Sequence, residues 1–466
     1  MQRKCGGVRR ISALAWIWLG SAAYFAIFST LGLDRYAAHR SAEDFGIFFQ
    51  TIASAFNGFS NAIEGASHFT VHFSPILYVL SPFVRVTHSA VPLILVSAAC
   101  NATVAPALFL IARRRMSERT ALAIAGLSFI YPPLCGVTFA DFHENSLVVP
   151  TIAWLLYALD ARKFSLAFVF ALIALATKED EAIFIAVVAI AAIFYFRARN
   201  DRDGVRWSAV ILACAIVIFA GYFTIVRPLA GAREAWHPLV MYSPAQPETR
   251  TAFQQLGDRA GYLLLAFAPL LFLPFLSRLV WLAVLPFAEV LLSRAPVTYT
   301  MGQHYAAVWI PYVLTAFTLG AGILWVRNDK LARKMLWGCL AIALVIFAIA
   351  NPLHPRYFLR WPQARDAQLD RFIASLPRNI EVGTQEEAYT HMGFFPKATL
   401  GIEQYPDFAL FDWQYPDSNW VLRDGPRIQA ERRAGKYRLL RAQNDIELYE
   451  RVGPKPPNIP RRSPAW

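Results

Sequence analysis

The sequence predicts a mostly α-helical, polytopic membrane bundle of about eleven spans with a small α/β domain on its outer face. Three observations lead there. Of the 466 residues 56% are hydrophobic and 17% charged, with a mean hydropathy of +0.38, far from the balance of a soluble domain. The Lys and Arg residues behind the formal net charge of +13 fall in short clusters between apolar runs, as the positive-inside rule produces, and no nucleic-acid motif accompanies them. No nucleic-acid partner is therefore expected. From about Pro355 the composition turns soluble.

Arg3, Lys4, Arg9 and Arg10 precede an apolar run from Ile11 to Leu33, too long for a signal-peptide core, which reads as an uncleaved first span with a cytoplasmic N-terminus. Residues 34–72 then form the first outer loop. The apolar stretch Phe73 to Ala112 exceeds one span; Pro75, Pro82, Arg85 and His88 mark its first half as interfacial or re-entrant, and the crossing runs from Ser89 to Ala112, ending at Arg113-Arg114-Arg115. Thr120 to Thr138 returns outward, and Ser146 to Leu159 goes in to Arg162 and Lys163. Phe164 to Thr177 and Ala182 to Phe196 follow, with Lys178-Glu179-Asp180-Glu181 outside and Arg197 to Arg206 inside. Trp207 to Val226 leads to a long outer loop, Gly261 to Leu276 and Leu279 to Leu292 form a hairpin, and Ala306 to Val326 and Leu336 to Ala350 complete the bundle.

Residues 1–352 thus make a membrane domain, 353–452 an outer α/β domain and 453–466 a proline-rich tail. In the outer domain, Ile380 to Gly383 and Phe408 to Phe411 read as strands, Glu386 to Met392 as a short helix, and Tyr437 to Arg451 as a hairpin turning at Asn444-Asp445. The five cysteines lack C-x-x-C spacing, so neither a disulfide framework nor a zinc cluster is expected from them.

This topology, drawn from apolar runs and basic clusters, gathers the unusual polar groups on one side. Asp44, His68, His72, Asp141, His143, Glu144, Lys178, Glu179, Asp180, His237 and His304 all fall at outer span ends. Ionisable groups near membrane depth are costly unless paired or hydrated, so their collection points to a site. Asp44 is placed to accept a proton from an acceptor hydroxyl; helix capping is its structural alternative. Asp141-Phe142-His143-Glu144 offers acid/base chemistry or a divalent metal such as Mn or Zn, or else caps the following helix. Lys178, with Glu179 and Asp180, suits a phosphate or an ion-pair cluster. His72 and His304 adjoin aromatic residues at helix entries, and outer arginines such as Arg227 suit a lipid phosphate.

Asp44-Phe45-Gly46-Ile47-Phe48, His72-Phe73-Ser74-Pro75, Asp141-Phe142-His143-Glu144 and Lys178-Glu179-Asp180, in that order, resemble the membrane-protein family called domain of unknown function 2079. Thr390-His391, Tyr405-Pro406 and Phe411-Asp412 extend the resemblance through the outer domain, while Phe49 stands where members often carry a second aspartate. That family looks like a branch of the C-type glycosyltransferases, integral membrane enzymes that use polyprenyl-phosphate-linked sugars at the outer surface. The resemblance implies that Asp44 is the catalytic carboxylate of the first outer loop. It further implies a bacterial inner-membrane enzyme with its C-terminal domain outside.

The resulting expectation is sugar transfer from a polyprenyl phosphate to an envelope acceptor. Asp44, His143 and Glu144 would be catalytic; His72, Asp141, Lys178, Glu179, Asp180, Arg227 and His304 would bind substrate; Asp141, His143 and Glu144 would be the candidate ligands of any divalent metal. The alternative is a transporter or a lipid- or glycan-binding envelope protein. A transporter should place its charges near the midplane of broken helices, whereas these cluster at span ends.

Overall fold

The computed structural model describes residues 12–232, 235–243, 250–415 and 418–456. The N-terminal Arg3, Lys4, Arg9 and Arg10, the loop residue Arg233, the side chain of His237 and the proline-rich tail from residue 457 lie outside the described residues.

Ser12 starts the first helix, Ala13–Ala37, by accepting the N–H of Ala15 at 3.2 Å. Five helices among the described residues are long and apolar enough to cross a membrane: Ala13–Ala37, Val91–Ala112, Arg202–Leu229, Ile310–Arg327 and Asp329–Ile349. A sixth follows if Glu118–Ile130 and Pro132–Phe139, bent by 50° where Pro132 and Pro133 enter, count as one span. The expected count of about eleven spans is therefore not confirmed among the described residues. The apolar runs between are built as shorter helices, Val148–Asp160, Phe164–Leu175 and Glu181–Arg197, packed among the longer ones.

The expected hairpin of Gly261 to Leu276 and Leu279 to Leu292 departs most from its reading. Helix Ala252–Phe267 gives way to 3₁₀ turns and resumes as Val284–Leu292. Pro269 and Pro274 remove backbone donors there, and Leu271 and Phe272 take left-handed φ angles of 46° and 56°. This broken segment nests on Gly320, where a Cβ would come within 2.1 Å of the Leu273 carbonyl oxygen.

The basic clusters meet at one end of the bundle. Arg114 and Arg115 both pair with Asp160, and Arg162 pairs with Asp201 at 2.7 Å. Four helix ends are tied together by these contacts. At the opposite end, the first helix leads into Glu43–Ala53, a 3₁₀ turn at His68–Thr70, and the short helix Leu77–Thr87, which His88 ends with a φ of 47°.

The C-terminal region is built on a five-stranded sheet, β1 (Val382–Thr384), β2 (Ala398–Leu400), β3 (Phe408–Asp412), β4 (Tyr437–Gln443) and β5 (Ile446–Arg451), in the order β2-β1-β3-β5-β4. β1 runs parallel to β2 and β3, and β5 is antiparallel to β3 and β4. Asn444 and Asp445, at φ 49° and 64°, make the tight turn between β4 and β5. Helices Ala364–Ala374 and Asn419–Arg433 were not anticipated from the sequence, whose polar runs there carry little apolar signal.

Candidate functional site

The helix Glu43–Ala53 presents two faces to two different neighbours. Its Gly46 lies against the sheet domain so closely that a Cβ would fall 2.4 Å from the Tyr389 ring. Gln50 donates to the carbonyls of Phe395 and Ala398, each at 3.0 Å, and accepts from the Tyr389 hydroxyl at 3.2 Å. Phe49 is buried against Phe394 on the same side. The opposite face carries Asp44, Ile47 and Phe48 into a cavity of about 200 Å³.

That cavity brings together sequence candidates from five separate segments. Asp44, His72, His143, Lys178, Asp180 and His304 all line it. All but Asp44 are held by a neighbour. His72 Nδ1 lies 2.9 Å from Glu179, whose other oxygen accepts the Phe73 N–H at 2.7 Å, so one buried carboxylate fixes both the ring and the backbone beside it. His143 and His304 stack at 3.7 Å with 12° between their planes. Lys178 is 2.9 Å from Asp180.

Asp44 stands apart in this respect. It is only partly buried, and no hydrogen bond to its carboxylate occurs among the described residues. The capping alternative does not hold for it, because Ala42 occupies the cap position and no side chain caps the helix. Burial in the cavity wall, together with the charges of Glu43, Asp141 and Glu144, pushes Asp44 up to about 7. Burial would also raise Glu144, but His143, His72 and Lys178 outweigh it and hold this acid at about 2.

Burial lowers His143 and His304 below the usual imidazole range, the second reinforced by His143 itself. Burial works against His72 as well, yet Glu179 raises it above that range. His143 Nδ1 lies 2.8 Å from Glu144 and 3.3 Å from the Asn145 N–H. Nδ1 accepts the Asn145 N–H and lies beside the Glu144 carboxylate, so the ring is fixed from that side and its Nε2 edge is left for other partners.

Several sequence candidates serve the walls instead. Asp141 accepts from Arg35 and from the Ala42 N–H, both at 2.6 Å, which ties the end of the first helix to the start of the helix bearing Asp44. Arg227 donates to the Thr70 carbonyl at 3.0 Å and Trp236 to that of Val71 at 3.1 Å, holding the turn that delivers His72. Asp141, His143 and Glu144 do not converge as metal ligands, since Asp141 is turned to Arg35 and Glu144 to His143. Among the described residues the one His/Cys/Asp/Glu group able to hold an ion is elsewhere, at His39, Asp370 and His391.

Sequence reasoning missed Trp236, Tyr242 and Thr298 as cavity residues and set Glu289 aside as a mid-span charge, although it lines the same space. Trp236-His237-Pro238 just after a span was the available signal for the first. Opposite Asp44, the segment leading to His304 is fixed by Gly302 (φ 97°), where a Cβ would meet the Pro352 carbonyl oxygen at 2.1 Å. His354 Nε2 donates to the Met301 carbonyl beside it at 2.9 Å.

The family described as predicted membrane protein (DUF2079) matches residues 39–366. No curated protein matches the sequence. The structure is similar to that of ArnT from Cupriavidus metallidurans bound to undecaprenyl phosphate, with a TM-score of 0.58 and 13% identity over 95% of this chain and 100% of that one. The apo state of the same protein gives 0.54 and 12% over the same shares. At such identities the likeness establishes the fold, a membrane helix bundle with a small sheet domain at its C-terminal end.

Proposed function

We propose a function for a chain that belongs to the DUF2079 family of predicted membrane proteins: it transfers a sugar from a polyprenyl phosphate to an envelope acceptor. The reaction takes place at the outer face of the bacterial inner membrane, with the basic end of the bundle in the cytoplasm. The observation that carries this reading is the convergence of Asp44, His72, His143, Lys178 and His304 on one cavity. The undecaprenyl phosphate named for the ArnT structure supports the donor class by analogy of fold.

Asp44 is the general base. As the acceptor oxygen bonds to the anomeric carbon, its proton passes to the Asp44 carboxylate. The bond from that carbon to the phosphate oxygen breaks, and the electron pair leaves with the polyprenyl phosphate. Lys178, whose resting partner is Asp180, and His72, whose protonated form Glu179 favours, offset the developing phosphate charge. His143 orients a sugar hydroxyl through Nε2, with the Asn145 N–H and Glu144 fixing the ring at Nδ1. His304 supports His143 through their stack.

Purified protein supplied with polyprenyl-phosphate sugars and envelope glycolipid acceptors should release polyprenyl phosphate. Asp44→Asn should slow that release by about 10²–10⁴-fold, the usual worth of a positioned base. Equal rates in the variant and the wild type would remove Asp44 from the role of base. Neither turnover nor saturable polyprenyl-phosphate binding by the wild type would overturn the transfer reading.

A further inference from the structure

We propose that His39, Asp370 and His391 bind a divalent transition metal of the zinc class in the seam between the first membrane helix and the sheet domain. His39 follows helix Ala13–Ala37, fully buried and with a left-handed φ of 55°. Asp370 lies on helix Ala364–Ala374, and His391 follows helix Glu386–Tyr389. Three segments distant in sequence therefore present three ligand atoms within 4.8 Å of one another.

The hydrogen bonds around the rings decide where the lone pairs point. His39 Nδ1 is 2.8 Å from the Glu387 carbonyl oxygen, and His391 Nε2 is 3.1 Å from that of Tyr36. A carbonyl only accepts, so each of these nitrogens carries a proton. In a neutral His391 the lone pair then sits on Nδ1, while His39 Nε2 faces a carbonyl as well and carries a second proton before any ion binds. His39 Nε2 and His391 Nδ1 both face the same oxygen, Asp370 Oδ1, at 3.3 and 2.9 Å, and the Asp366 carbonyl oxygen lies 3.2 Å from His39 Nε2. His391 Nδ1 and Asp370 Oδ1 meet as two electron-rich atoms, and a metal ion that displaces the His39 Nε2 proton satisfies all three ligand atoms.

The donor set selects the ion. Imidazole nitrogen with one carboxylate suits zinc and its neighbours, whereas magnesium and calcium prefer all-oxygen shells. Bonds of about 2.0–2.1 Å give tetrahedral ligand-to-ligand edges of about 3.4 Å, near the spacings present. The second nitrogen of each ring donating to a backbone carbonyl is the arrangement that orients metal-bound histidines. The rings are stacked at 3.8 Å and 17°, so binding both to one ion turns one of them out of the stack. Asp370, with 47% of its side chain exposed, supplies the entry path.

An ion here staples the sheet domain to the chain just before the helix that bears Asp44. The assignment is independent of the transfer reaction. Full-length, chelator-treated protein in detergent should take up one equivalent of Zn²⁺ by calorimetry, with Mg²⁺ giving no heat, and should unfold at a higher temperature with Zn²⁺ present. Co²⁺ should give visible ligand-field absorption. Asp370→Asn, at a half-exposed position, and His391→Gln should each weaken Zn²⁺ binding about 10–100-fold or more, while His143→Ala keeps the equivalent. No uptake by the wild type, or undiminished affinity in both seam variants, would show the cluster to be held by protons alone. An equivalent lost with His143→Ala would place the ion in the cavity and equally overturn the assignment.

Discussion

Asp44 and Asp141 stand on either side of the same helix entry, yet their surroundings give them opposite work. Asp141 is saturated: Arg35, only 5% exposed at its side chain, and the Ala42 N–H converge on one of its oxygens. Asp44 has no such partner among the described residues and faces the cavity. A carboxylate whose lone pairs are spent on the protein is scaffold; one left with them toward a cavity is available for chemistry. Residue type and proximity in sequence did not separate the two. Their partners do.

The contrast is open to direct attack. Asp44→Asn should cost the most activity without lowering the melting temperature, since no native hydrogen bond is lost and a disfavoured buried charge is removed. A large fall in stability would mean that Asp44 also holds the fold. Asp141→Ala should act in the reverse sense, destabilising by about 3–5 kcal/mol because it strands a buried guanidinium. Denaturation of the variant in detergent measures this, and an unchanged midpoint would contradict the scaffold role.

Gly46→Ala should cost about 1–3 kcal/mol by forcing Tyr389 aside, and should loosen the sheet domain toward protease. The smallest and most diagnostic effect is on pH dependence. With Asp44 at about 7, its base form dominates only above that pH, so kcat/KM should fall about tenfold per unit below it and level off above. Stability runs the other way. A carboxyl raised from about 3.9 in the unfolded chain favours the protonated native state, so its stabilising contribution is complete below about pH 4 and is lost as pH rises through about 7. Asp44→Asn should remove both dependences together.

What could be read in advance followed local rules. Arg113 to Arg115 and Arg197 to Arg206 mark helix ends because charge is excluded from apolar spans, and Asn444-Asp445 marks a hairpin because both residues tolerate a left-handed backbone. The gathering of Asp44, His72, His143, Lys178 and His304 was legible for the same reason, from the ends of the spans that carry them. Partnerships across the fold were not. Nothing near Lys178 in sequence showed whether Asp180 would turn toward it, and nothing near Asp141 announced Arg35. Gly46 read as part of a loop motif, whereas its reason is the ring of a tyrosine more than three hundred residues away. The helix at Ala252–Phe267 ended early because Pro269 and two left-handed residues outweighed a favourable hydropathy.

The glycine contacts have a mechanical meaning. Gly46 fastens the wall bearing Asp44 to the sheet domain, and Gly302, gripped by Pro352 and His354, fastens the wall bearing His304 to the linker that leads into it. The sheet domain holds one wall of the cavity and the linker before it the other. Both walls of the cavity are thus seated on the C-terminal third of the chain, through backbone positions that admit no side chain.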